Sequence, residues 1–299
     1  MKKIFKWIGI VLGSLIGLIL VAGLVLILVA NSRLNKVYEF PPSDLTIPTD
    51  EESLAFGKHR VETLCMSCHG DDLGGTVLLN DPVLGVLESI NLTTGEGGIG
   101  QTYTSDEDYV NAIRHGIDLE GKPILMPAVN STSKLSDKDL GSIIAYLRTI
   151  PPVDGERRGL QLKPVGKILY AVGMLPVMPA EVVSHETHVT APERGVTIEY
   201  GKYLMDTNDC RDCHGEELAG AEYPDPTIYL ITPNLTPGGE VGFWSEEQFI
   251  NAIRTGIHPS GRELKELMPW KTYRKFTDDE LKAIYMYLQS LPKLPQYTE

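Results

Sequence analysis

Cys65-Met66-Ser67-Cys68-His69-Gly70 returns 145 residues further on as Cys210-Arg211-Asp212-Cys213-His214-Gly215. Two thiols three positions apart with a histidine directly behind them form the attachment signal for c-type haem. The spacing lets both thiols reach the vinyl groups on one edge of a porphyrin, and the adjacent imidazole then lies under the ring as the proximal iron ligand. Cys65, Cys68, Cys210 and Cys213 are therefore expected to form the thioethers, with His69 and His214 on the two irons. They are all the cysteines of the chain, so no thiol is left over. A zinc site would have to join two remote motifs into one tetrahedron and would leave both histidines unexplained. A thioredoxin-like pair would need a strand before it in a βαβ context, and the pattern shows neither.

The duplication extends well beyond the motifs. Asn91-Leu92-Thr93 matches Asn234-Leu235-Thr236, Asn111-Ala112-Ile113-Arg114 matches Asn251-Ala252-Ile253-Arg254, and Met126-Pro127 matches Met268-Pro269, all in the same order. Two homologous domains explain this most simply. The expected division is an N-terminal anchor at 1–36, a proline-rich tether at 37–50, a first domain at 51–152, a linker at 153–195 and a second domain at 196–299.

Three helices are expected in each repeat. The last is the clearest: Ser136 and Thr277 cap it three residues before Asp139 and Glu280, and Leu140, Ile143, Ile144, Leu147 and Leu281, Ile284, Tyr285, Leu288 recur at helical spacing. Pro151-Pro152 and Pro292 close these helices. A middle helix follows Ser105 or Ser245, and a first helix carries Gly57 or Gly201 shortly before the cysteines. The Gly- and Pro-rich stretches between first and middle helix read as loops. The fold class is thus all-α, two tandem domains behind a transmembrane helix.

A sixth iron ligand separates a carrier from a catalyst. Met126 lies 61 residues after Cys65 and Met268 lies 58 after Cys210, both within Leu-Met-Pro. A single methionine is more often core filler. The matched position and flanks favour ligation here, since His/Met is a known haem pair.

With these landmarks in place, each half resembles a class I cytochrome c domain, and the pair is similar to the cytochrome c subunit of membrane-bound alcohol and gluconate dehydrogenases. The resemblance covers most of residues 51–299 and implies electron transfer with two covalently bound haem c groups. It also implies that Gly57 with Tyr146, and Gly201 with Tyr287, mark where first and last helices cross closely. Those subunits usually hold three haems, whereas this chain has two motifs. Arg114 and Arg254 read either as donors to haem propionates or as residues of a solvated helix face. His115 and His258 lack counterparts in the other half and read as surface residues, and His185 and His188 are not expected to be ligands. Met178-Pro179 imitates the ligand motif but lies outside both repeats. Residues 163–183 read either as a strap packed on one domain or as a surface that touches the membrane.

From Trp7 to Ala30 the chain is apolar except for Ser14. As a helix this run extends roughly 36 Å, enough to cross a hydrocarbon layer of roughly 30 Å. Leu28 ahead of Ala30 fits a small-x-small cleavage site badly, so an uncleaved anchor is expected. Lys2, Lys3 and Lys6 on its leading side predict a cytoplasmic N-terminus in a single-pass inner-membrane protein, with the haem domains on the periplasmic side. About six residues before the span are too few for a cytoplasmic signalling domain. The formal net charge is −13, and because the first 36 residues carry five cations and no acid, the remainder carries −18. So acidic a body excludes nucleic acid as a partner and suits docking to a basic protein face, or serves solubility alone. The expected partners are the membrane, a dehydrogenase or quinol-oxidising complex as donor, and a soluble cytochrome or oxidase as acceptor. No independent catalysis is expected. A dihaem peroxidase or thiosulfate-oxidising enzyme would need an open iron position, against which the paired Met-Pro motifs speak.

Overall fold

The computed structural model describes residues 2–186, 188–223 and 228–298. Its elements follow the duplicated pattern. Helix α1 (Lys2–Leu34) is an apolar N-terminal helix long enough to cross a membrane, and an irregular stretch leads to the first domain. There α2 (Glu51–Leu64) runs into α3 (Met66–His69), followed by strands β1 (Val77–Asp81) and β2 (Gly85–Glu88), then α4 (Asp106–Val110), α5 (Val129–Thr132) and α6 (Asp137–Leu147). The linker contributes β3 (Leu160–Leu162) and α7 (Pro164–Ala171). In the second domain, α8 (Ile198–Asp206), α9 (Cys210–His214), α10 (Glu246–Thr255), α11 (Trp270–Tyr273) and α12 (Asp278–Ser290) repeat the helical order.

The caps lie where the polar residues before each apolar stripe place them. Ser105, Ser245 and Thr277 form reciprocal capping boxes with Asp108, Gln248 and Glu280. Ser136 accepts from the Asp139 N–H at the start of α6. The buried stripes of α6 and α12 meet the first helices of their own domains in two separate cores, around Val61, Leu140 and Ile144 in one and Leu204, Leu281 and Leu288 in the other. Both crossings are close because glycine stands at the contact. A Cβ on Gly57 would lie 1.9 Å from the Ser142 carbonyl oxygen and 3.1 Å from the Tyr146 Cβ. On Gly201 it would lie 2.0 Å from the Ala283 oxygen.

Two features differ from the sequence expectation. The stretch after the first cysteine motif is not all loop: β1 and β2 form an antiparallel hairpin, with Asp81 opposite Gly85, and β3 of the linker adds to β2 with Gln161 opposite Val86. Alternation is too short in these strands to mark them, and the third partner comes from 70 or more residues away. The middle helix of the first domain also does not stay α-helical. It widens into a π turn over Asn111–His115 and ends in a left-handed Gly116.

The two domains share a polar interface with a local two-fold character. His59 on α2 sits 2.7 Å from Glu280 at the start of α12. At the corresponding place on α8, Tyr203 donates to Asp139 at 2.8 Å at the start of α6 and accepts from the Ser136 N–H at 3.0 Å. Tyr203 thereby completes, from the other domain, the cap that Glu280 makes alone in α12. Arg60, fully buried, donates across the same interface to Thr207 Oγ1 at 3.0 Å.

Candidate functional site

Each site begins where a first helix tightens into the cysteine motif. The Cys65 N–H donates to the Val61 carbonyl at 2.8 Å, so α2 delivers the first thiol directly into α3. Gly70 and Gly215, at φ +81° and +79°, turn the chain out of the motif in a conformation that glycine adopts without steric cost. Three residues on, Leu73 and Leu218 also hold left-handed backbone, at φ +60° and +59°. That costs of order 1 kcal/mol for a residue with a Cβ, and burial of both side chains offsets it.

The histidines are oriented identically. Nδ1 of His69 lies 2.8 Å from the Ile90 carbonyl oxygen, and Nδ1 of His214 lies 2.8 Å from that of Pro233. A carbonyl can only accept, so Nδ1 carries the proton and the Nε2 lone pair is left available to a metal. Neither Nε2 bonds a protein group among the described residues. Burial lowers both pKa values, with the carbonyl bond opposing it in part, which keeps each imidazole neutral near pH 7. The carbonyl before each histidine is held as well: Cys68 O accepts from Thr76 Oγ1 at 2.7 Å and Ser89 Oγ at 2.6 Å, and Cys213 O accepts from Thr232 Oγ1 at 2.7 Å.

The four cysteines form no disulfide. Burial pushes the Cys65 and Cys210 thiols up to about 12, and it also raises Cys68 and Cys213. Among the described residues no group of three or more His, Cys, Asp and Glu side chains forms a cage for a metal ion. Two thiols beside a neutral, pre-oriented imidazole, repeated in both motifs, fit covalent attachment and proximal ligation of a haem c group.

The Asn-Leu-Thr loop closes each site from behind. Asn91 Nδ2 donates to the Val153 carbonyl at 2.6 Å and Asn234 Nδ2 to that of Leu294 at 2.8 Å. Both side-chain oxygens accept from the threonine N–H two residues on. The loop is thereby pinned to the segment that follows the last helix. Met126 and Met268 are half-buried in turns directly before α5 and α11. The Met126 carbonyl accepts from the Val129 N–H at 2.9 Å, and that of Met268 from Trp270 at 2.7 Å. Met178 is elsewhere, fully buried against Ala30 and Tyr170.

The matched arginines have protein partners at the start of the last helix. Arg114 donates to the Leu135 carbonyl at 2.9 Å and to Asp137 at 2.8 Å, and Arg254 donates to Asp278 at 2.7 Å and to the Arg274 carbonyl. Arg114 is fully buried, so the solvated-face reading fails in the first domain. The reading of His115 and His258 as surface residues is also corrected. His115 is buried, stacked on Phe40 of the tether at 4.4 Å and 3.2 Å from His185 Nδ1. His258 is buried 3.0 Å from Glu240. Phe40 and His185 come from segments whose packing no local periodicity marks. The Ile90 and Pro233 carbonyls were equally hidden, because backbone acceptors carry no side-chain signature. The one available signal was a hydroxyl residue, Ser89 or Thr232, just ahead of each.

A family model described as Cytochrome c matches residues 198–292, and one described as Cytochrome C oxidase, cbb3-type, subunit III matches residues 52–147. The chain is similar to the cytochrome c subunit of alcohol dehydrogenase (quinone) from Gluconobacter oxydans, 26% identical over 78% of this chain and 53% of that protein. The same subunit from Gluconacetobacter polyoxogenes is 29% identical over 77% of this chain and 54% of its own length. The fructose dehydrogenase cytochrome subunit of Gluconobacter japonicus is 36% identical over a shorter stretch, 31% of this chain and 21% of that protein. The chain thus spans about half the length of the relatives that it matches most extensively.

Proposed function

We propose that this chain, whose residues 52–147 and 198–292 are cytochrome c domains, is a membrane-anchored dihaem cytochrome that transfers single electrons between a respiratory dehydrogenase and a downstream acceptor. Domains of this class bind haem c covalently, and haem iron supplies a one-electron ferrous/ferric couple. Cys65 and Cys68 would hold one group and Cys210 and Cys213 the other, with His69 and His214 as proximal ligands. Met126 and Met268 are the distal candidates.

The observation that carries this reading is the doubling of one site, down to the 2.8 Å carbonyl bond on each Nδ1, in two domains whose haem motifs border a common interface. Lys275, beyond the Met268 loop, reaches Met66 inside the first motif at 3.2 Å, and Ser131, beyond the Met126 loop, accepts from the Asp209 N–H directly before the second motif at 3.0 Å. Each motif therefore touches, in the other domain, the short helix or the turn that follows the candidate ligand loop, an arrangement suited to passing an electron within one chain. α1 supports a single-pass anchor, and Lys2, Lys3 and Lys6 support an inner-membrane orientation with both domains on the periplasmic side. Similarity to cytochrome subunits of alcohol and fructose dehydrogenases supports a dehydrogenase as donor, and a soluble cytochrome or oxidase fits as acceptor. The acidic body would meet a basic partner face.

The test is spectroscopic. Alkaline pyridine spectra of the purified full chain should give two c-type haems, redox titration should resolve one-electron waves, and the reduced protein should bind carbon monoxide poorly. Rapid carbon monoxide binding together with peroxidase turnover would overturn the carrier reading in favour of a dihaem enzyme with an open iron site.

A further inference from the structure

The linker helix α7 does not lie on either haem domain alone; it lies against the membrane-spanning helix. Ile168 Cδ1 is 3.7 Å from where a Cβ on Gly23 would stand, and Lys167 Nζ donates to Asn31 Oδ1 at 2.7 Å. Gly23, Leu26, Ile27, Ala30 and Leu34 form one covered face of α1 at helical spacing, while Leu20, Leu24 and Leu28 around it remain exposed. Polar groups close the end of this contact. Glu181 accepts from Arg33 at 2.9 Å and from the Tyr170 hydroxyl at 2.6 Å, and the Arg33 guanidinium stands 4.5 Å over the Tyr170 ring.

The depth of this contact follows from the length of the apolar run. Gly23 lies seven residues, about 10 Å, inside the end of the run at Ala30. If those seven residues stood in water, the 17 left would span only about 25 Å, short of the roughly 30 Å hydrocarbon layer, and Leu24 and Leu28 would be exposed to solvent. The level of Gly23 is therefore acyl chain, and Ile168 shares it. The surface around Ile168 is apolar and uncovered: Val165, Val172, Met174 and Val177 are 42 to 63% exposed. The tip of the β1–β2 hairpin joins this patch. A Cβ on Gly166 would lie 2.2 Å from the Leu84 carbonyl, and Val83 beside it is 53% exposed. Lys167, bonded to Asn31 just past the end of the apolar run, borders the patch at the height where phosphate headgroups begin.

We infer that α7 and the residues following it, with the hairpin tip at Val83, are seated in the lipid bilayer as a second membrane contact beside α1. This inference rests on the reading of α1 as a membrane anchor. Its consequence is orientational: β3 ties the linker to the first domain through β2, so the insertion holds the first haem domain at a set angle to the membrane instead of on a free tether.

The experiment places a nitroxide at Leu20→Cys, Val172→Cys, Met174→Cys or, as an aqueous control, Phe243→Cys, in the reduced full-length holoprotein at one copy per phosphatidylethanolamine/phosphatidylglycerol nanodisc. Collision rates with oxygen, which partitions into lipid, and with an aqueous nickel chelate are compared. Oxygen should dominate at Leu20, Val172 and Met174, and the chelate at Phe243. Chelate dominance at Val172 and Met174 with Leu20 in lipid overturns the inference and leaves the anchor standing. Chelate dominance at Leu20 as well overturns both. Protection of Val172 and Met174 from both reagents places protein over the patch and also overturns the inference.

Discussion

At the scale of single residues, the two sites are governed by which atom of each side chain is left over once the fold has used the rest. His69 and His214 commit Nδ1 to a carbonyl and keep Nε2. The methionines offer sulfur alone, and the proposal that Met126 and Met268 are the distal ligands is decided there. Met126→Ala should remove about half of the near-infrared sulfur-to-iron band of the oxidised protein and Met268→Ala the other half, each with a fall in potential at one haem, since thioether ligation favours ferrous iron. Met178→Ala, deep in the contact between α1 and α7, should leave the band untouched and be felt only in stability. An unchanged band in either ligand variant would show that the corresponding iron takes another sixth ligand.

At the scale of elements, each domain is organised by one crossing of two helices, and the glycine there sets how near they come. Leucine or alanine could satisfy the helical pattern at Gly57 or Gly201, but no side chain fits within 2.0 Å of the opposing carbonyl. Gly57→Ala and Gly201→Ala should therefore push α2 from α6 and α8 from α12, at a cost of about 2 to 4 kcal/mol each. Urea unfolding of the holoprotein, followed by far-UV circular dichroism, measures it. Gly17→Ala, in α1 where nothing lies within 4 Å, should leave the midpoint unchanged. A similar gain in stability at all three positions would mean that helix propensity, and not the crossing, is what the substitutions report.

At the scale of the whole molecule, the two domains are joined by polar groups that titrate. Glu280 is buried at the interface, and burial alone would raise its pKa. The His59 hydrogen bond and charge, the Thr277 N–H and nearby Arg60 outweigh that, so its carboxyl titrates below the ordinary value of 4.5. A carboxylate depressed in the folded state contributes stability above its unfolded pKa and loses it as pH falls through the folded one. The interface should hold from neutral pH down to about 4.5 and weaken below it. Small-angle scattering should then show the domains separating while the haem spectra persist. Glu280→Gln should remove that acid step. A parent whose scattering stays constant below pH 4.5 would mean that Tyr203, Asp139 and Arg60 hold the interface without it.

The sequence by itself determined the duplication and the helices and pointed to covalent haem, because each is written in local spacing: C-x-x-C-H, a cap three residues before its carboxylate, an apolar stripe at 3.6 residues. It carried no sign of the hairpin's third strand, of the stack of His115 and His185 on Phe40, or of α7 against α1. These join residues between 70 and 148 positions apart through contacts that leave no periodic trace. The same holds for the interface pairs. Glu280 reads locally as a helix cap and His59 as an ordinary helical residue, and only folding brings Nε2 within 2.7 Å of the carboxylate. Local backbone preference decides elements, whereas the placement of one domain on another is decided by which buried polar groups find partners, and that requires both domains to be in place.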